Sequence, residues 1–298
     1  MANLKEIRNR IASIGSTMQI TSAMKMVSAA KLKKAQDAIT AMRPYSSKLT
    51  ELLQNLSATL DSDVGGAYTK QRDLSKVLLV VVTSNRGLCG GFNSSVVKET
   101  VQNITANYQD VHVDLLTIGK KGNDILSKTY PVIDTRNDIY DDLTFDKVAE
   151  VAEKIMHLYV DGTYDKIEII YNRFKNAATQ IPQVEQFLPI KPVEGDANAN
   201  ADYIFEPSKE KIVLELIPKS LKTQLYKSVR DSFAAEHGAR MTAMHKATDN
   251  ATELRDDLKL TYNKARQAAI TNEILEIVGG AEALKNKEHE YILKRAHL

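Results

Sequence analysis

Apolar residues recur with helical spacing over two long stretches, one toward each end of the chain, and a block of short apolar runs lies between them. Near the start, Leu4, Ile7, Ile11, Ile14, Met18 and Thr21 follow a 3,4,3,4,3 spacing, which predicts a helix with one apolar stripe. After a phase shift, Met24, Val27, Ala30, Ala35, Ala38 and Met42 continue the stripe. Gly15 is the only interruption before Pro44, and helical pattern resumes over 51–60. Such a helix of about 55 residues, kinked or not at Pro44, would measure roughly 80 Å.

Toward the other end, Ala247, Ala251, Leu254, Leu258, Thr261, Ala265, Ala268, Asn272 and Leu275 alternate by four and three, a heptad seam. Leu221, Leu225, Val229 and Phe233 extend this helix back to Pro218. Gly238 costs about 1 kcal/mol in a helix interior without ending it. Residues 219–284 would span roughly 100 Å, with the loosest turn at Gly279-Gly280. Each stripe needs a long apolar cover, and each is the obvious cover of the other. The expectation is an antiparallel two-stranded coiled coil, with its alanines allowing close backbone approach.

Between the helices, residues 76–83, 111–118 and 165–171 read as buried strands, and 184–188 as a further edge strand. Helical patterns cover 93–108, 120–130 and 145–159. The alternation predicts a small open α/β domain with a parallel sheet. Loops are expected at 61–71 and 191–202. The fold class is therefore α/β: a long antiparallel coiled coil of the N- and C-terminal helices plus that domain. Its expected parts are 1–60, 61–206, 207–284 and an extension at 285–298.

Composition narrows the function classes. The 298 residues carry 40 Lys+Arg against 38 Asp+Glu, so no overall field recruits nucleic acid or anionic lipid. No run of 18 apolar residues spans a bilayer, and the first residues, with Glu6 among them, have no export or import signal. The lone Cys89 excludes an intramolecular disulfide and a Cys-rich metal site.

The candidate chemistry centres on Ser84-Asn85-Arg86-Gly87-Leu88-Cys89-Gly90-Gly91-Phe92-Asn93, a Gly-rich loop after a strand and before a helix. Backbone N–H groups in that position make an anion site. No Lys follows the last Gly, and the spacing of Gly87, Gly90 and Gly91 fits neither common phosphate fingerprint. The other reading, a tight strand-to-helix turn, fits better. Cys89 at a helix start is either a favoured thiolate or a small buried residue. His112, His157, His237, His245, His289 and His297 lack metal spacing, since even His237 and His245 lie over ~10 Å apart along a helix. Asp134, Asp138, Asp141, Asp142 and Asp146 read as a solvated loop, with a cation site as the rival. Met24, Met26, Met241 and Met244 read as core fillers, or as a surface inside a sleeve.

Residues 1–43 hold eight basic residues against Glu6 and Asp37. This reads either as a solvated helix face or as a binding surface, and since no aromatic interleaves the basic residues before Tyr45, an acidic protein partner is favoured over nucleic acid for the latter.

Three segments together resemble one family. They are Ile20-Thr21-Ser22-Ala23-Met24-Lys25-Met26-Val27-Ser28-Ala29-Ala30-Lys31-Leu32, the Gly-rich loop, and a set near the C-terminus. That set comprises Ala239-Arg240-Met241-Thr242-Ala243-Met244, Ala247-Thr248-Asp249-Asn250-Ala251, Tyr262-Asn263-Lys264-Ala265-Arg266-Gln267-Ala268-Ala269-Ile270-Thr271-Asn272-Glu273-Ile274 and Glu276-Ile277-Val278-Gly279-Gly280-Ala281. The chain resembles the γ (central shaft) subunit of rotary F-type ATP synthases over nearly its whole length.

The resemblance implies a rotor shaft with no catalytic site, cofactor or metal of its own. It would turn inside a ring of three α and three β subunits and couple proton or other ion flow through a membrane c-ring to ATP synthesis and hydrolysis. It implies an ε subunit partner and a peripheral position on the cytoplasmic face of a bacterial cell membrane. Met24, Lys25, Arg240, Gln267 and Thr271 would contact β subunits. Tyr203, Phe205 and Glu206 would meet the membrane ring, and Gly87, Gly90 and Gly91 would form a structural turn. Residues 285–298 exceed the family pattern, and with Cys89 alone the paired-cysteine insert of the chloroplast members is missing. A coiled-coil tether for another assembly and a nucleotide-using α/β enzyme are the competing readings.

Overall fold

The computed structural model describes residues 4–57, 66–190 and 209–296. Two long helices, α1 (Leu4–Ser57) and α5 (Lys209–Ala296), flank β1 (Lys76–Val82), α2 (Phe92–Asn107), β2 (His112–Ile118), α3 (Lys120–Leu126), β3 (Val132–Arg136), α4 (Phe145–Val160), β4 (Lys166–Phe174) and β5 (Gln180–Leu188). The chain divides into two compact units, Met24–Met244 and Met1–Ala23 with His245–Leu298.

In the larger unit the strand order is β3-β2-β1-β4-β5, with β1 through β4 parallel and β5 antiparallel to β4. Central β1 is covered on both faces, which is why it is a continuous run of Val and Leu instead of an alternation. Leu78, Val80 and Val82 pack with Ile155 and Tyr159 of α4 and Leu225 and Val229 of α5. Val77, Leu79 and Val81 pack with Val96 and Ile104 of α2 and Leu126 of α3.

Three elements differ from the sequence expectation. β3 forms where a loop was expected, because Val132, Asp134, Thr135 and Arg136 pair in parallel with β2, with a register shift that skips Ile133. β4 and β5 are longer than expected, because they form a hairpin closed by Asn176, whose Oδ1 accepts from the N–H groups of Ala178 (3.0 Å) and Thr179 (2.7 Å). α5 starts before Pro218 and runs on through Gly279-Gly280 to Ala296.

The seam between α1 and α5 also differs in phase. In the larger unit, Leu32, Ala35 and Ile39 pack against Ala234, Phe233 and Met241. Ser28 is buried, whereas Val27 is 57 % exposed. The expected phase shift to Met24, Val27 and Ala30 does not occur. Ser28 can occupy a seam position because its hydroxyl bonds the Met24 carbonyl at 2.8 Å.

In the smaller unit, Thr21 meets Thr248, Met18 meets Thr252, and Arg8 donates to the Tyr262 hydroxyl at 2.8 Å. Residue numbers fall on α1 as they rise on α5, so the pair is antiparallel. Arg255 and Tyr262 reach α1 where Leu254 and Thr261 were expected, and Leu254 is 51 % exposed, whereas Ala251 is buried and Ala247, Leu258 and Ala265 are half-buried as the seam requires.

Candidate functional site

The Gly-rich loop leaves the end of β1 and enters α2. Asn93 closes it: its Oδ1 accepts from the Ser84 N–H at 3.0 Å, and its Nδ2 donates to the Ser84 hydroxyl (2.8 Å) and to Cys89 Sγ (3.2 Å). Gly90 has φ +57°, the left-handed region, whereas Gly91, the residue before α2, has φ −79°. The second left-handed residue is Leu88, φ +62° and 64 % exposed. A leucine there costs roughly 1–2 kcal/mol and exposes a large apolar side chain as well.

In doubly wound sheets, ligands bind beyond the carboxyl ends of the strands, where the strand order reverses, here between β1 and β4. This chain fills that crevice with its own helix. Ala235 and Ala239 of α5 pack on Cys89 and Phe92, against Phe174 at the end of β4. Gly238 lets the helix approach closely, since a Cβ there would lie 3.1 Å from the Ala177 Cα. Arg240, 7 % exposed, donates from Nη1 to Glu236 at 2.6 Å and from Nη2 to the carbonyls of Arg86 (3.0 Å) and Gly87 (3.3 Å). Burial pushes the Glu236 carboxyl up and Arg240 opposes it. The loop's outward carbonyls thus meet a cation of the chain itself.

Burial likewise pushes the Cys89 thiol up, opposite to an activated thiolate. Two carboxylates of the acidic segment have cations of their own: Lys154 of α4 donates to Asp134 at 2.6 Å, and Arg136 holds both oxygens of Asp138 at 2.9 Å. Asp134 lies on β3, not in a solvated loop. Among the described residues no group of three or more His, Cys, Asp or Glu could hold a metal ion. His237 is buried edge-on to Phe233, with ring centroids 4.5 Å apart and no hydrogen bond to either nitrogen. Burial, then Arg240 and Lys31, lower its pKa to about 3.

The other surface of note is the far part of α5, where every residue over 270–282 is exposed, including Ile270, Ile274, Leu275, Ile277 and Val278. Such an apolar helix end needs a partner.

The sequence pattern of the family described as ATP synthase matches residues 3–284. The chain is 73 % identical over 286 residues to the ATP synthase gamma chain of Flavobacterium psychrophilum, covering 96 % of this chain and 100 % of that relative. The chain belongs to the gamma-chain family of F-type ATP synthases. A second gamma chain, from Flavobacterium johnsoniae, is 74 % identical over 285 residues, 95 % of this chain and 99 % of the relative. A chain from the central stalk and c-ring structure of the Tetrahymena thermophila mitochondrial ATP synthase is similar, with 27 % identity and a TM-score of 0.58, over 76 % of this chain and 99 % of that one. A chain of the Euglena gracilis mitochondrial ATP synthase shares the fold, with a TM-score of 0.67 at 22 % identity over 94 % of each chain.

Of the positions singled out by resemblance to the gamma-chain family, Met24 and Lys25 lie half-buried on α1, and Gln267 and Thr271 lie exposed one turn apart on α5. The Thr271 hydroxyl donates to the Gln267 carbonyl at 2.9 Å. Arg240 is the exception, buried in the larger unit. Tyr203, Phe205 and Glu206 lie outside the described residues. The sequence reading missed Glu236, and it placed Leu88 and Asn93 in the loop without giving either a role. The Glu236/Arg240 spacing of four was a legible signal for an ion pair, but nothing in the sequence marked Leu88 as left-handed. Residues 285–298 lie beyond the family match, and α5 continues through them to Ala296. No helix among the described residues is long and apolar enough to cross a membrane.

Proposed function

We propose that the chain is the central rotor shaft of the F1 sector. It couples proton flow through the membrane c-ring to ATP synthesis and hydrolysis in the β subunits by rotating inside the α3β3 ring. The observation that carries this reading is the exposed apolar face of α5 over 270–282. Covering its Ile, Leu and Val side chains is worth on the order of 10 kcal/mol, enough for an apolar sleeve to hold the helix without any directional bond. A sleeve of that kind permits turning.

The filled crevice beyond β1 and β4 supports a part with no catalytic site of its own. Turning an off-axis shaft biases a surrounding subunit only through contacts that differ between its conformations. Met24, Lys25, Gln267 and Thr271 are the side chains proposed for those contacts, and Arg240, buried against Glu236 and the loop carbonyls, acts behind that surface instead of on it. The basic face of α1 then turns toward acidic β loops through exposed charge pairs that exchange at little cost. Residues 1–60 and 207–284 serve as the shaft. Residues 61–206 are the foot domain, with Tyr203, Phe205 and Glu206 at the c-ring and the ε subunit alongside, and 285–298 form an extension. The assembly sits on the cytoplasmic face of the bacterial membrane.

Gentle extraction of the tagged chain from its own cells tests this. One copy per three α and three β subunits, with ATPase activity in the complex and none in the free chain, is expected. Recovery with a different partner set, or ATP hydrolysis by the free chain, would overturn the reading.

A further inference from the structure

We propose that Arg240 is a positioning residue, whose guanidinium, fixed by Glu236, clamps the carbonyls of Arg86 and Gly87 and thereby holds Leu88 in its left-handed, outward-facing state. The claim concerns the chain by itself and does not depend on the shaft reading.

Three observations converge on it. Leu88 has an unfavourable backbone conformation and an exposed apolar side chain, with φ +62° and 64 % exposure, so neither its own torsions nor its own burial keeps it there. The two residues immediately before it are tied by their carbonyl oxygens to one guanidinium, at 3.0 and 3.3 Å. That guanidinium is in turn pinned at 2.6 Å by Glu236, one helical turn earlier, and both members are at most 9 % exposed in their side chains. A planar fork can serve a carboxylate and two carbonyls at once, and a lysine ammonium on a flexible stem cannot hold the same set in fixed geometry. On the other side of Leu88, the loop is anchored by buried Cys89 and Phe92 against Ala235 and Ala239. Leu88 is therefore stretched between two fixed points, and Arg240 supplies the one that is polar and specific.

Cys89 makes the loop its own reporter. It is the chain's only cysteine, it is buried, and it follows Leu88 directly, so a thiol reagent reaches it only when the loop opens. The rate of labelling of the full-length chain by a water-soluble maleimide is the measurement. Denaturant midpoint and exchange of the β1 amides serve as checks on the fold. Arg240→Lys, which keeps a cation for Glu236, is expected to speed labelling about tenfold while the β1 amides exchange within about threefold of the parent. Leu88→Asn, which tolerates left-handed backbone, is expected to slow labelling in the parent chain. Added to Arg240→Lys, it is expected to bring labelling back to within about threefold of the parent. Arg240→Ala is expected to give a larger acceleration, rescued in the same direction. Labelling unchanged within twofold by Arg240→Lys, or an acceleration that Leu88→Asn leaves untouched, overturns the proposal.

Discussion

Thr21 and Thr248 meet hydroxyl to hydroxyl at 2.8 Å across the antiparallel pair formed by α1 and α5. The same Thr21 hydroxyl also reaches the Met18 carbonyl at 3.1 Å, so a polar residue fills a seam position without an unsatisfied group. Replacing one partner alone removes a hydrogen bond, and replacing both with the isosteric apolar residue removes the need for it. Thr248→Val is therefore expected to cost about 1 kcal/mol, and Thr21→Val with Thr248→Val less than the sum of the two single changes. Denaturant unfolding of the four chains measures this, and strict additivity would show that the contact carries no coupling.

The two neighbouring glycines of the loop differ in backbone, and so in tolerance. Gly90 has φ +57°, with the nearest atom to an added Cβ 3.8 Å away on Ala243, so Gly90→Ala is expected to cost about 1–2 kcal/mol through backbone conformation alone. Gly91→Ala, at φ −79° with the Ser94 hydroxyl 3.8 Å from an added Cβ, needs no left-handed backbone and is expected to cost only about 0.5 kcal/mol, through the change at the helix N-cap. Thermal unfolding of the two variants side by side decides whether conformation or crowding rules the turn.

His237 makes stability depend on pH. Its ring stays neutral in the folded chain down to a pKa of about 3, against 6.5 unperturbed. Between those values the unfolded chain binds one more proton than the folded chain, so stability is full above pH 6.5 and falls as the pH drops toward 3. At pH 5 the loss attributable to this residue is about 2 kcal/mol at most. His237→Gln should flatten the dependence of unfolding free energy on pH between 7 and 5. An unchanged slope would place the acid sensitivity elsewhere.

The exposed end of α5 separates folding from assembly. Ile274→Ser and Ile277→Ser remove side chains that are 55 % and 71 % exposed, so the isolated chain should keep its stability within about 0.5 kcal/mol. The same pair should weaken assembly with α and β subunits by tenfold or more, because the apolar area lost is the area a sleeve would bury. Equal assembly by parent and variant in a titration would remove the sleeve from the proposed mechanism.

Much of this architecture was readable from local pattern. β1 announces itself through six consecutive Val and Leu residues, because a strand buried on both faces has no reason to alternate. α4 is legible for the opposite reason, its buried Val148, Val151, Ala152, Ile155 and Tyr159 recurring at helical spacing. β3 was not legible, because five residues with Asp134 and Arg136 among them become a strand only when β2 offers its edge. The spacing of four between Glu236 and Arg240 was a usable signal, and the loop carbonyls that Arg240 holds left none.

The one-dimensional sequence by itself determined what depends on neighbours along the chain. It specified two long helices, the central strands, a strand-to-helix turn rich in glycine, and the motifs that mark the family. Tertiary structure alone decided which residues share an interface. It kept Thr21 in the α1–α5 seam and added Ser28 and Arg255 in place of the more apolar Val27 and Leu254, because the Thr21 and Ser28 hydroxyls satisfy themselves on the carbonyls of Met18 and Met24 and Arg255 reaches the Met18 sulfur. It also turned a loop with the outline of a phosphate site into a packed joint, because Ala235, Gly238 and Ala239, more than 140 residues away, bring α5 close enough to close it.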